Sequence, residues 1–151
     1  ASELIEQPIE AAGQSLTFTG VSVGNPHCVV FKPAGQSWSR EDLLKLGPAL
    51  ETHPFFPRRT NVQLAVPTGP KELYILIWER GAGETQASGS SSCAAASAAV
   101  RLGLVKSPVT VKMPGGQLNI EVASDFSLTM KGPVAEVARG ALSPSFVRSL
   151  R

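Results

Sequence analysis

The sequence is poor in sulfur. Its 151 residues include two cysteines and two methionines, and Cys28 and Cys93 are far apart, with no C-x-x-C spacing. Zinc sites and disulfide frameworks need cysteines or histidines at short, regular spacings. We therefore expect neither a metal site nor a disulfide scaffold, and a chain of this length can be stabilised by its own hydrophobic core.

Charge of one sign and long apolar runs are also lacking. The net charge is only +2, and the basic residues are scattered rather than clustered, which argues against a nucleic-acid-binding surface. No apolar run approaches the roughly 20 residues of a membrane span, and the first residues lack the basic and apolar regions of a signal peptide. We expect no nucleic-acid or membrane partner and a cytoplasmic location.

Glycine, proline and strand-like alternation are abundant instead. With 14 Gly, 12 Pro and 42% hydrophobic residues, the composition is typical of a globular domain rich in strands and turns. The length favours a single domain over residues 1–151. Alternating or fully apolar segments between turn residues predict about eight strands, at 16–23, 27–32, 61–66, 73–79, 109–113, 118–123, 127–131 and 134–138.

Two helices are expected among these strands. Ser39 has the character of an N-cap, and leucines along one face predict a short outer helix that ends near Leu50. The segment 90–102 is rich in alanine and carries no charge before Arg101, with Gly103 as its stop signal. A helix without a polar face is normally buried on all sides. We therefore predict an α+β fold in which a mixed sheet curls around this central helix.

The connection into the central helix is the most informative segment. An apolar strand ends in Glu79-Arg80, a glycine-rich turn follows, and the helix begins near Ser90. The first N–H groups of a helix have no internal partners and bind anions. The N–H groups of Gly89 and Ser90 are therefore predicted to bind a substrate carboxylate, although a plain N-cap with a flexible glycine would have the same sequence.

Several short motifs, found in one order along the chain, resemble the second half of the diaminopimelate epimerase family. These enzymes epimerise an amino acid without a cofactor. The motifs are Gly24-Asn25-Pro26-His27, Thr60-Asn61-Val62, Glu79-Arg80-Gly81-Ala82-Gly83-Glu84-Thr85, Ala87-Ser88-Gly89-Ser90 followed by Cys93, Pro114-Gly115-Gly116 and Gly132-Pro133-Val134-Ala135-Glu136.

The resemblance implies an isomerase of lysine biosynthesis that uses no cofactor or metal. In the family, two similar domains enclose a small amino-acid substrate, and this chain matches the C-terminal one. A missing N-terminal domain would then complete the site, and the chain alone would be inactive. Apolar surface facing that domain can also drive self-association, so a homodimer is a further expectation.

One position departs from the family pattern. Where the epimerases have a catalytic cysteine, this chain has Ser88. A thiol, with an ordinary pKa near 8.5, can be tuned for proton transfer by a helix N-terminus, whereas a hydroxyl cannot be tuned comparably. Three interpretations of Ser88 are open: an inactivating or engineered change, a natural variant with one-face chemistry, or a residue that only holds the loop.

These readings leave alternative functions open. One is a one-base lyase or proton-exchange enzyme of the same fold. Another is a noncatalytic amino-acid-binding or assembly domain. Cys93 matches a second, noncatalytic family cysteine, and we expect it to be a small core residue rather than a substitute base.

The remaining candidate residues come from the same motifs. The resemblance implies that Glu79 and Arg80 contact the ends of the substrate, although an ion pair at a strand end would look alike. Asn25 and Asn61 can donate and accept hydrogen bonds, which suits a zwitterionic ligand as well as ordinary turn chemistry. His27 matches a family histidine beside the site, where it would assist Ser88 or orient Glu79, or it is structural.

Overall fold

A computed structural model describes residues 4–151. Residues 1–3, which belong to the start predicted to lack a signal peptide, lie outside the described residues. The strands are β1 Gln7–Ala11, β2 Gln14–Ser22, β3 Pro26–Phe31, β4 Asn61–Gly69, β5 Glu72–Glu79, β6 Gly83–Thr85, β7 Val109–Met113, β8 Gly116–Val122 and β9 Leu128–Lys131. The helices are α1 Arg40–Glu51, α2 Gly89–Arg101 and α3 Pro144–Ser149.

The nine strands form one mixed sheet. Their order is β1-β2-β3-β4-β5-β7-β8-β9, and β6 pairs with β5 off this path. The pairs β3–β4 and β5–β7 are parallel, and the others are antiparallel. β5 lies in the middle of the sheet, and its apolar residues on both alternating sets are typical of a strand that is covered on both faces.

A helix packs on each face of the sheet. Ser39 caps α1 in a reciprocal capping box with Asp42, and Leu43, Leu46 and Leu50 of α1 are buried against one face. The opposite face packs on α2, whose small side chains allow close contact with strands β2–β5 and β7–β9. Its fully buried or nearly buried alanines are Ala94, Ala95, Ala96, Ala98 and Ala99.

Glycine ends α2 as predicted. Gly103 adopts the left-handed conformation, with φ 71°, and its N–H donates to Val100 O at 3.0 Å, while Leu104 N–H donates to Ala99 O at 2.9 Å. This arrangement satisfies carbonyls that the end of the helix leaves unpaired.

The C-terminal segment differs from the prediction. The strand expected at 134–138 is wrong: this stretch is irregular, and Val134 and Val137 are 98% and 94% exposed. A strand forms where a neighbouring strand pairs with its backbone and packed side chains cover one of its faces. Among the described residues, no strand pairs with 134–138. Pro144 begins α3 after the N-cap Ser143, a start signal of helices that the sequence analysis did not use.

Two strands were also not predicted, β1 and β6. Of the three helices, none is both long and apolar enough to cross a membrane, a finding that covers residues 4–151.

Candidate active site

Three strand ends meet at one edge of the sheet. The parallel strands β3 and β4 both begin there, with His27 opposite Asn61. β5 runs antiparallel to β4 and ends at this edge, with Trp78 opposite Val62. The fold therefore gathers the motifs that contain His27, Asn61, Glu79 and Arg80, although they lie up to about fifty positions apart in the chain.

Asn61 ties these strand ends together. Its Nδ2 donates to Pro26 O at 2.9 Å, and its Oδ1 accepts a hydrogen bond from Arg80 N at 2.9 Å. Both ends of the amide thus bond to the backbone: one bonds to β3, and the other bonds to the residue that follows β5. The guanidinium of Arg80 is exposed, and its Nη1 donates to Arg58 O at 3.3 Å.

Glu79 lies on the same side of the sheet as α2. Strand residues alternate in direction, and Ile77, two positions earlier, packs in the cluster that contains the α2 alanines. Glu79 Oε2 accepts from Thr85 Oγ1 at 3.1 Å, across the β5–β6 hairpin. Glu79 is therefore the carboxylate of the strand-end pair that shares a face with the helix.

Ser88 caps the start of α2. Its backbone is extended, with φ −155° and ψ 126°, and its Oγ accepts from Ser91 N at 3.3 Å. Ser92 Oγ donates to Ser88 O at 2.8 Å. The first turn of α2 contains no acidic residue, so its positive dipole end is not neutralised by its own side chains. The local structure suits an anion, and the Ser88 hydroxyl accepts the capping hydrogen bond of the helix.

Two glycines lie close to other segments at the helix start. A Cβ on Gly89 would lie 2.9 Å from Met130 Sδ on β9, the end of a flexible side chain that can move away. The segment just before it is held by the β7–β8 turn, where Gly115 N donates to Gln86 O at 2.7 Å. A Cβ on Gly115 would lie 2.8 Å from that same oxygen. The Pro-Gly-Gly hairpin therefore positions the chain that leads into Ser88.

A buried polar chain joins the sheet edge to the helix start. His27 Nε2 lies 2.9 Å from Asn25 Oδ1, and His27 Nδ1 lies 3.0 Å from Gln63 Nε2. Gln63 Nε2 also donates to Ser91 Oγ at 2.9 Å. Gln63 was not predicted as a site residue, because its only signal in the sequence is a polar residue within the apolar strand β4.

The imidazole of His27 is held neutral. His27 is 1% exposed, and this burial lowers its pKa to about 4. The hydrogen bond with Gln63 opposes the shift, and the positive charge of Arg80 adds to it. At neutral pH the ring therefore carries one N–H proton, either on Nδ1 or on Nε2.

Glu51, at the end of α1, supports the turn after β5. It is 7% exposed, and its carboxylate accepts from Trp78 Nε1 at 2.8 Å and from Gly81 N at 2.9 Å. Arg59 Nη1 lies 3.4 Å away. Glu51 was not predicted as a site residue, because a glutamate at a helix end has no distinctive sequence pattern.

The two cysteines lie in the core. Cys28 is fully buried, and Cys93 is half-buried on α2 against the alanine cluster, which agrees with the predicted core role. Burial raises the pKa of both thiols, so neither is poised to form a thiolate. Among residues 4–151, no group of three or more His, Cys, Asp or Glu side chains is arranged to hold a metal ion.

Solved structures share this fold. A phenazine biosynthesis protein of the PhzF family from Bacillus anthracis aligns with 76% of this chain and 38% of its own, at a TM-score of 0.53 and 13% identity. A putative PhzC/PhzF phenazine biosynthesis protein from Clostridium difficile aligns with 67% and 35%, at a TM-score of 0.50 and 15% identity. These similarities define the fold class alone.

Sequence comparison identifies the family. The sequence profile of diaminopimelate epimerase matches residues 19–137. The diaminopimelate epimerase of Desulfitobacterium hafniense is 46% identical over 134 residues, which are 89% of this chain and 46% of that protein. The enzyme of the same name from Sphingopyxis alaskensis is 47% identical over 120 residues, which are 80% and 44%. The chain belongs to the diaminopimelate epimerase family, and it spans about half the length of these relatives.

Proposed function

We propose that this chain is the C-terminal, substrate-binding half of an amino-acid epimerase that acts on diaminopimelate in lysine biosynthesis and needs no cofactor. The main observation behind the proposal is the start of α2, whose first turn contains no acidic residue to neutralise its positive dipole end. This start lies beside the edge where β3, β4 and β5 meet. Family membership supplies the reaction, since the relatives are named diaminopimelate epimerases.

The helix start would bind the α-carboxylate of the substrate. The N–H groups of Gly89 and Ser90 and the positive end of the α2 dipole favour an anion there. The same groups would stabilise the negative charge that develops when the α-proton leaves. Asn25 and Arg80 would contact the polar ends of the substrate, and Asn61 would hold the three strand ends in register.

Ser88 limits what this half can do in proton transfer. Its hydroxyl lacks the pKa of a thiol that a helix N-terminus can tune, so we propose that an N-terminal domain of the same protein supplies an acid/base on the opposite face. Glu79 remains the acid/base candidate on this half, and His27, which is buried and held neutral, would act by positioning its neighbours. The chain by itself should then bind the amino acid without epimerising it.

The same residue favours a second candidate function. With a hydroxyl in place of one thiol, a one-base lyase or α-proton-exchange reaction would need only the acid/base of the other domain. A noncatalytic amino-acid-binding role would need neither. These functions share the binding site and differ only in what happens at Cα.

Restoring the thiol separates these functions. In a two-domain form of the enzyme, the Ser88→Cys variant should gain epimerase activity with diaminopimelate, while Ser97→Cys, a thiol elsewhere on α2, should not. Entry of solvent deuterium at Cα with inversion supports the epimerase. Deuterium entry without inversion supports one-base chemistry, and no exchange in either form supports a binding domain. Epimerisation by the 151-residue chain alone would contradict the proposal.

We further propose that residues 1–151 form one domain whose sheet curls around α2. Exposed apolar residues of the C-terminal segment would contact the N-terminal domain or a second copy of the chain. Light scattering of the chain at several concentrations distinguishes a monomer from a homodimer. The apolar residues concerned are Val134, Val137, Leu142 and Leu150.

A further inference from the structure

The orientation of the Gln63 amide determines the wiring of the polar chain, by which we mean which group donates and which accepts in each hydrogen bond. An amide nitrogen can only donate, so His27 Nδ1, 3.0 Å from Gln63 Nε2, must accept. The neutral imidazole then carries its proton on Nε2, which lies 2.9 Å from the carbonyl oxygen of Asn25 and can donate to it. All three groups agree on one arrangement of donors and acceptors.

The opposite wiring is disfavoured by burial. If the amides of Gln63 and Asn25 were both turned over, the distances to His27 would still be satisfied. Gln63 would then leave an amide nitrogen with two buried hydrogens unpaired, whereas in the present orientation only its Oε1 lacks a partner. Gln63 is fully buried, so no solvent can serve that nitrogen.

The wiring determines what Asn25 offers to a ligand. With Oδ1 accepting from His27, the amide group that remains available is Nδ2, which is a donor. Asn25 is half-buried in the turn before β3, at the sheet edge that borders the proposed site. A donor at this place suits a carboxylate and does not suit an ammonium group.

We propose that Gln63 is a positioning residue that fixes His27 as its Nε2–H tautomer and thereby holds Asn25 with its amide nitrogen available to the carboxylate end of the substrate. The substrate part of this inference rests on the proposed function. The tautomer part is a property of the chain itself and is tested without a ligand.

Nitrogen-15 NMR of the histidine rings tests the tautomer. The wild-type chain should show His27 protonated at Nε2 and unprotonated at Nδ1. In Gln63→Glu the carboxylate can only accept, so the proton should move to Nδ1. In Gln63→Met, which lacks a donor, the two tautomers should interconvert and give averaged signals. Ser91→Ala is the matched control, because it removes a neighbouring bond of Gln63 and should leave the tautomer unchanged.

The results that overturn the inference are specific. Wild-type His27 protonated at Nδ1 would contradict the wiring directly. A folded Gln63→Glu or Gln63→Met variant with the wild-type tautomer would show that Gln63 does not set it. Since Met is apolar and similar in size, it tests the same point if the buried glutamate prevents folding.

Ligand titration tests the effect on Asn25. Diaminopimelate should bind Gln63→Glu at least about tenfold more weakly than wild type, since a hydrogen bond to a charged group is lost. A reversed tautomer with unchanged diaminopimelate affinity would overturn the role of Asn25. Absence of binding to wild type, with the tautomer as expected, would count against the proposed function instead.

Discussion

Removing the charge of Glu51 tests how the turn beside the site is supported. Its two carboxylate oxygens accept from Trp78 Nε1 and Gly81 N, at 2.8 and 2.9 Å. Glu51→Gln preserves the shape of the side chain but replaces one oxygen with an amide nitrogen. Whichever way the amide turns, that nitrogen faces a donor, so one buried N–H has no acceptor.

The size of the effect follows from these contacts. An unsatisfied buried donor destabilises by about 1–3 kcal/mol. The ion pair with Arg59, whose side chain is 56% exposed, adds about 0–1 kcal/mol. We expect Glu51→Gln to reduce the free energy of unfolding by about 2–3 kcal/mol at neutral pH.

The effect should also depend on pH. Burial alone would raise the pKa of Glu51, but the hydrogen bonds from Trp78 and Gly81 and the charge of Arg59 outweigh it and hold the pKa below its ordinary value of 4.5. Because the pKa is lower in the folded state, the stabilisation is present above pH 4.5 and is lost as the pH falls through the folded value. The difference between wild type and variant should therefore shrink in acid.

Urea unfolding followed by circular dichroism measures this difference. Fluorescence is unsuitable, because the variant alters a bond of Trp78 itself. Glu72→Gln is the matched control: its carboxylate also has a cationic partner, Lys112 at 2.9 Å, but its side chain is 32% exposed. Its unfolding midpoint should stay at the wild-type value. A Glu51→Gln protein as stable as wild type at neutral pH, or a loss that persists unchanged in acid, would refute the reasoning.

Burial of neutral His27 should make the protein less stable as the pH falls from 6.5 towards 4, by about 3 kcal/mol, because the unfolded chain binds the proton first. Urea unfolding over this range should show the slope in wild type, and its persistence in His27→Gln would contradict the assignment. Gly47→Ala should destabilise by about 1–3 kcal/mol, since the new Cβ would lie 2.6 Å from the ring of Trp78. Gly140→Ala, in open space, is its control, and equal unfolding midpoints for the two variants would rule out the clash.

Local signals predicted the regular elements well. Ser39 and Gly103 mark helix ends by capping chemistry that involves only a few neighbouring residues, and both positions were predicted. The segment 134–138 and the strand β6 show the limit of local signals. Segment 134–138 has strand-like residues but forms no strand, because it has no neighbour to pair with. β6 is a three-residue strand that exists because β5 lies beside it.

The site divides in the same way. Motifs and resemblance pointed to residues at strand ends and at the helix start, which the fold then brought to one edge. Gln63 and Glu51 were missed because their partners are distant in sequence: Ser91 lies 28 positions from Gln63, and Gly81 lies 30 positions from Glu51. Their roles come from burial and from hydrogen bonds that close only in the folded chain.

Ser88 shows how binding and proton transfer can be separated at one helix start. Serine is among the best N-caps, and its Oγ bonds to Ser91 N here. A cysteine in its place would lose that cap, at a cost of about 1 kcal/mol, while the helix terminus would favour its thiolate. The N–H groups of Gly89 and Ser90, which would bind the anion, belong to the backbone and do not depend on this choice. Substitution at this position should therefore change the chemistry of the site more than its capacity to bind a carboxylate.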